Sequence, residues 1–191
     1  GPISSQTEQD TRHFSRFSKL PCFDPSSAQE AYEMIQEAFE YSEKYGTPVF
    51  LRPTTRVCHG YASIMVKDET EYTHHQPEGF IKDSKRWVIF PRLSFMNHKK
   101  IEARNQELSD IFSSYEKNTI HPSCDAFKNS KKGIATGGIS YTYTMETLKK
   151  TGMVKTLKIA TPHPFPEKLA VDFLSGLDEV LCLEELDPVI E

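Results

Sequence analysis

Between residues 133 and 186 three apolar runs alternate with two helix-forming runs, and no other feature restricts the fold of this chain as tightly. "GIATGGIS" (133–140), "VKTLKIATP" (154–162) and "EVLCLEEL" (179–186) read as strands. "YTMETLKKTG" and "PEKLAVDFLSG" read as the helices between them, the second with Pro166 in its first turn and Gly176 past its end. Strand–helix–strand–helix–strand at this spacing predicts a small parallel sheet with right-handed crossovers, an α/β architecture.

The front of the chain carries a second signal of the same kind. In "DPSSAQEAYEMIQEAFEYSEKYG" the pair Ser27 and Glu30 has capping-box spacing. Ala31, Met34, Ile35, Ala38 and Phe39 recur at helical spacing, and Gly46 supplies the stop. "PVFLRP" then reads as a buried strand, which needs sheet neighbours on both sides. Nothing ahead of residue 27 reads as one. Residues 1–20 read as a loop and 60–96 as irregular. A second helix is predicted over Asn97–Tyr115, with Ile101, Leu108, Ile111, Phe112 and Tyr115 on one face. "HPSCDAFKNSKKG" reads as a connector.

Composition removes several function classes. With 191 residues the chain can bury a sizeable core, and 12 Phe and 8 Tyr supply one despite an apolar content of 37%. A net charge of −4 argues against a nucleic-acid partner, which a basic face would attract. No apolar run is long enough to span a membrane, and the start shows no secretory leader. The cysteines at 22, 58, 124 and 182 lack C-x-x-C spacing. They read as scattered reduced thiols of a cytoplasmic protein, without a structural zinc or iron–sulfur site.

Four stretches could carry chemistry. "GIATGGIS" has neither phosphate-loop pattern, so Gly137 and Gly138 read as a tight strand-to-helix turn with close backbone approach. His74-His75 reads as solvated surface, and "EELDPVIE" as a strand edge with a solvated tail. "RPTTRVCHG" lies at the carboxyl end of a predicted parallel strand, where open α/β sheets bind ligands. Arg52, Thr54, Thr55, Arg56 and His59 either bind an anion or neighbouring domain there, or pair with nearby acids. "SSQTEQDTRHFSRF" is either a frayed terminus or a polar ligand-binding run. Arg12 and Arg16 are four apart and share a face if that turn is helical, and a guanidinium fork fits a carboxylate.

"SSQTEQDTR", "PSSAQEA", "LRPTTRVCH", "GIATGGISYTY", "LKIATPHPFPEKL" and "VLCLEELDPVIE", in this order, resemble the alpha subunits of indolepyruvate:ferredoxin oxidoreductases. These belong to the thiamine-dependent 2-oxoacid:ferredoxin oxidoreductase superfamily. The resemblance runs along nearly the whole chain and is loosest between about 60 and 130.

It implies a three-layer parallel-sheet fold in three stretches. Residues 1–60 would be the C-terminal part of a thiamine pyrimidine-binding domain, 61–130 a linker with a helix, and 131–191 a transketolase-C-like domain. In the family the pyrimidine-activating glutamate lies upstream, while the diphosphate and magnesium ligands and cluster cysteines lie downstream. The chain is therefore expected to be an internal fragment, inactive alone, with no thiamine diphosphate, magnesium or iron–sulfur cluster of its own. The implied activity of the full subunit is oxidative decarboxylation of aryl pyruvates on thiamine diphosphate. Electrons would go to ferredoxin and the acyl group to coenzyme A, with a beta subunit as partner. By motif position the resemblance gives Arg12 the 2-oxoacid carboxylate, Arg16 as second choice, and Gln9 and Ser5 as neighbours. Residues 131–191 would brace subunit packing and help admit coenzyme A. Two other readings stand beside it: a non-catalytic binding or scaffold module, and a fragment of another thiamine enzyme of transketolase type. The Ser-Ser-Gln-x-Glu-Gln-Asp run argues against the second of these.

Overall fold

The computed structural model describes residues 9–72, 74, 76–77 and 79–191. Among the described residues seven α-helices and six strands follow in the order α1 (Arg12–Ser18), β1 (Cys22–Phe23), α2 (Ala28–Tyr45), β2 (Phe50–Leu51), α3 (Thr55–Cys58), α4 (Ser84–Trp87), α5 (Pro91–Phe112), β3 (Thr119–His121), β4 (Lys132–Gly137), α6 (Gly138–Thr151), β5 (Lys155–Ile159), α7 (Glu167–Leu174) and β6 (Glu179–Leu183).

The second half forms a four-stranded sheet in the order β3-β5-β4-β6. β4 pairs in parallel with β5 and β6, as the alternation predicts, and β3 adds an antiparallel edge. That edge starts two residues ahead of the stretch read as a connector. Period-2 side chains divide the two faces of the sheet. Ala135, Leu157 and Ile159 pack with Phe173 of α7 on one face. Ile134, Leu181 and Leu183 look toward Tyr143, Thr144 and Leu148 of α6 on the other. Helices on both faces of a largely parallel sheet make three layers.

The strand read over 133–140 ends at Gly137, and α6 starts at Gly138 in the left-handed region (φ 50°). A Cβ on Gly137 would lie 2.5 Å from the Ile159 carbonyl oxygen. Close strand approach therefore requires this glycine, and the turn into the helix requires the next.

Residues 1–20 are not all loop, since α1 occupies Arg12–Ser18. β2 does have a neighbour ahead of residue 27: β1 pairs with it in parallel, Cys22 opposite Phe50 and Phe23 opposite Leu51. Pro21 and Pro25 confine β1 to two residues, too few to show a strand period. β1 also bonds past the end of β5, with Cys22 N–H donating to His163 O (2.7 Å) and Asp24 N–H to Ala160 O (2.8 Å). That seam brings the carboxyl ends of the two sheets together.

Over the seam sits a core of Phe23, Met34, Ala38, Leu108, Phe112 and Ala160. The Phe23 ring meets Tyr41, Phe112 and Tyr115 edge-on at 5.4, 5.6 and 5.8 Å. Leu108 and Phe112 come from α5, which starts at Pro91, six residues before the predicted helix. Ser27 caps α2 by accepting from Glu30 N–H (3.2 Å). The Glu30 carboxylate accepts from Ser26 N–H and pairs with Lys158 of β5, so only half the predicted capping box closes locally.

Candidate functional site

The carboxyl ends of β1, β2 and β6 converge on the first turn of α1, and each brings one charge. Asp24 follows β1, Arg52 follows β2 and Glu184 follows β6. Asp10 and Arg12 come from α1 and the residue pair ahead of it. Asp10 Oδ1 accepts from Arg12 N–H at 3.0 Å and so covers one free donor of that helix end.

Arg12 is the hub, with only 3% of its surface exposed. Its Nε donates to the Asp10 carboxylate (3.0 Å) and its Nη1 to Glu184 Oε2 (2.7 Å). Its Nη2 donates to Asp10 Oδ2 (2.5 Å) and to the carbonyls of Asp187 (2.8 Å) and Glu185 (3.0 Å). Glu184 in turn accepts from the N–H groups of Val189 (3.0 Å), Ile190 (2.8 Å) and Glu191 (3.1 Å). Arg12 thus ties two segments more than 170 residues apart in sequence, and both sides of its fork are occupied. His13 adds an outer contact to Asp187 at 3.1 Å.

Arg52 makes the second half of the network, lying 3.3 Å from Asp24 and 3.7 Å from Asp10. Of the two readings of "RPTTRVCHG", Arg52 follows the ion-paired one. Arg56 and His59 are not part of this cluster, and Thr54 Oγ1 is buried without a partner among the described residues. "EELDPVIE" is corrected: Glu184 is a buried ion-pair partner rather than part of a solvated edge.

Burial acts on each carboxyl, and the cations decide how far. Desolvation pushes Asp10 up, but the Arg12 hydrogen bonds and charge outweigh it and hold the carboxyl below its usual value. Asp24 is buried more deeply, and the attraction of Arg52 and Arg12 does not compensate, so it stands at about 6. The Asp24 oxygens also lie within van der Waals reach of Gly138, where an added Cβ would come to 3.0 Å. The Cys22 thiol beside them is pushed up to about 12 by burial and is chemically quiet.

One turn further along α1, Arg16 is exposed at the rim of a polar cavity of about 550 Å³. Lys19, Asn105, Ser109 and His163 share that cavity. Asn105 donates to the Lys19 carbonyl (3.2 Å), while its Oδ1 is buried and unpartnered among the described residues. Burial, then Arg16, Lys19 and Arg104, lower His163 to about 4, so the ring is neutral at pH 7. The structure therefore separates the two arginines that the sequence groups together: Arg12 is consumed by the protein and Arg16 faces a cavity. Gln9 is exposed ahead of the hub. Ser5 and His75 lie outside the described residues.

Among the described residues no three His, Cys, Asp or Glu side chains converge as metal ligands. Cys22, Cys58, Cys124 and Cys182 sit on separate segments as free thiols. The acids of the hub are committed to Arg12 and Arg52. The groups that the described residues offer therefore do not fit magnesium or a cluster, and no chemical step is assigned to either. No described helix is long and apolar enough to cross a membrane.

Asp10, Asp24, Glu184, Asn105 and His163 escape a reading of the sequence. Asp10 pairs two residues along with Arg12, but the pairings of the other four join positions far apart in the chain, and only the spacing of Arg12 and Arg16 gave a local hint.

No protein-family model matches the chain. Curated relatives do. The chain is 37% identical over 191 residues to "Indolepyruvate oxidoreductase subunit IorA" of Methanothermobacter thermautotrophicus, covering 99% of this chain and 30% of that protein. It is 39% identical over 193 residues to the protein of the same name from Pyrococcus abyssi, covering 98% and 29%. It is 32% identical to that from Archaeoglobus fulgidus, again covering 98% and 29%. The chain spans about three tenths of the length of the curated relatives it matches.

Proposed function

Because this chain belongs to the family of indolepyruvate oxidoreductase IorA subunits, we propose that it serves a 2-oxoacid oxidoreductase that decarboxylates aryl pyruvates oxidatively. On this reading residues 1–60 complete a thiamine pyrimidine-binding domain, 61–130 link, and 131–191 form the transketolase-C-like unit. Thiamine diphosphate supplies the carbanion chemistry in the assembled enzyme, with ferredoxin as electron acceptor and coenzyme A as acyl acceptor. A second subunit completes the assembly, and the enzyme works in the cytoplasm.

What this chain's own residues contribute is placement. The observation that carries the reading is the closed fork of Arg12 on Asp10, Glu184 and two carbonyls. That fork pins the Gln9–Arg16 run to the carboxyl ends of the strands, where open α/β sheets bind ligands. A substrate carboxylate at Arg12 would have to displace Asp10 or Glu184. Arg16 has no such partner among the described residues and faces the cavity of His163 and Asn105. We therefore assign the oxoacid carboxylate to Arg16 and the holding of the loop to Arg12, with Gln9 and Ser5 as neighbours of the substrate.

The test uses the full-length subunit assembled with its partner. Arg16→Ala is expected to raise the KM for the aryl pyruvate on the order of tenfold to a hundredfold, the loss of one charge-assisted contact of about 1.5–3 kcal/mol. The cofactor content should stay unchanged. An unaltered KM would remove Arg16 from the substrate.

A further inference from the structure

The lining of the cavity that Arg16 faces divides by segment. α1 and α5 bring polar and charged groups, whereas the segments after β5 and β6 bring Pro162, Pro164, Phe165, Pro188 and Val189. Proline rings present hydrocarbon that is already rigid, so an aromatic ring packs against them at little cost in entropy. At about 550 Å³ the cavity lies within the range of small-molecule sites.

Val189 is the telling residue of this group. Phe165 and Ile190 pack against the core of Ala135, Leu157, Ile159 and Phe173, but among the described residues Val189 belongs to neither core. It is half-buried all the same, and its place is fixed. Its N–H donates to the Glu184 carboxylate at 3.0 Å, and the N–H of Ile190 does so at 2.8 Å. An apolar side chain held in this way on a cavity, and uncommitted to a core, is placed to meet a ligand.

The charges of the cavity fix which way an aryl oxoacid lies. Lys19 is paired with Glu102, which leaves Arg16 as the open cation among the described lining residues. Glu167 and Glu191 also line the cavity, both exposed, and like charge keeps a carboxylate away from them.

We propose that Val189, with the prolines of the same cavity, seats the aryl ring of the oxoacid and sets the ring size that the site accepts. The proposal rests on the assignment of the oxoacid carboxylate to Arg16. With the carboxylate on that guanidinium, the ring lies against the hydrocarbon of the other segments. In an apolar pocket one group too many or too few changes discrimination by about 10–200-fold.

Kinetics of the full-length subunit assembled with its partner test this, with indolepyruvate and phenylpyruvate as paired substrates. Val189→Trp narrows the seat and should lower the kcat/KM ratio of indolepyruvate to phenylpyruvate on the order of tenfold. Val189→Leu should lower the ratio by less, and Val189→Ala should raise it, so the test stands if the tryptophan variant fails to assemble. Calorimetry with indole-3-propionate, which carries the ring and carboxylate but no keto group, should show the same order of affinities without turnover. Arg16→Ala should raise both KM values alike, since both substrates carry the carboxylate. A ratio unchanged in all Val189 variants, beside an Arg16→Ala that raises both KM values, would overturn the seat and leave Arg16 in place. If Arg16→Ala leaves both KM values unchanged, the carboxylate assignment falls and the seat falls with it.

Discussion

Two regions of this chain treat charge and apolar surface in opposite ways. At the carboxyl ends of the strands two arginines and three carboxylates are withdrawn from water and satisfied by one another. Along residues 82–100 charges and aromatic rings stand largely in solvent, outside both cores and in contact mainly with one another and with Phe80. A buried charge keeps its place only while its partner is present, because desolvation then goes unopposed. An exposed one contributes little to stability and is free for a partner. The first region therefore holds the fold in register, and the second is available for association.

Removing Arg12 should break this contrast most severely. Arg12→Met leaves Asp10 and Glu184 buried without their cation, and should cost about 3–5 kcal/mol of stability in urea denaturation. Lys99→Met in the second region should cost less than about 0.5 kcal/mol in the same measurement. Equal losses would erase the distinction between the regions.

The seam glycines come next. Gly137→Ala drives a Cβ into the Ile159 carbonyl, and overpacking of that kind costs about 1–3 kcal/mol. Gly138→Ala adds a left-handed penalty of about 1–2 kcal/mol. Thermal unfolding of both variants checks the order.

Acid sharpens the contrast further. Asp24 sits at about 6 in the folded chain against 3.8 for a free side chain. The folded state binds the extra proton in that window, so the Asp24 contribution to stability falls as pH rises from about 4 to 6. The full span corresponds to about 3 kcal/mol, as an order of magnitude. His163, lowered to about 4, works the other way: its contribution rises with pH between about 4 and 6.5. Asp10, held low, loses its contribution only as pH drops below the ordinary carboxylate range. Asp24→Asn should accordingly gain on the wild type between pH 4.5 and 7 in urea titrations. A constant difference would mean that Asp24 is ionised throughout. The smallest effect belongs to Phe39→Ser, whose ring touches solvent, and which should leave monomer stability within about 0.5 kcal/mol.

The parallel strands β4, β5 and β6 of the second sheet were legible because they are five or six residues long and separated by helices, whereas the three-residue edge strand β3 was not. β1 was not, since two residues between prolines carry no period. In α2 the helix and its stripe could be read, but not that Ile35 and Phe39 would stay uncovered. Periodicity reports a face, whereas the width of that face that finds a partner depends on distant packing. The arginine pair shows the same division at the site. Spacing put Arg12 and Arg16 on one face only if a stretch read as loop were helical, and their separate fates depend on Glu184 and Asp187, which no local pattern joins to residue 12.

The separation of these two arginines is the claim on which the functional reading stands, and steady-state kinetics of the full-length subunit with its partner tests it. Arg16→Lys and Arg16→Ala should raise the oxoacid KM, with Ala the worse, and leave the urea midpoint at the wild-type value. Arg12→Lys should lower the midpoint and leave KM unchanged in the protein that remains folded. The reverse pattern, with KM following Arg12 and stability following Arg16, would contradict the account.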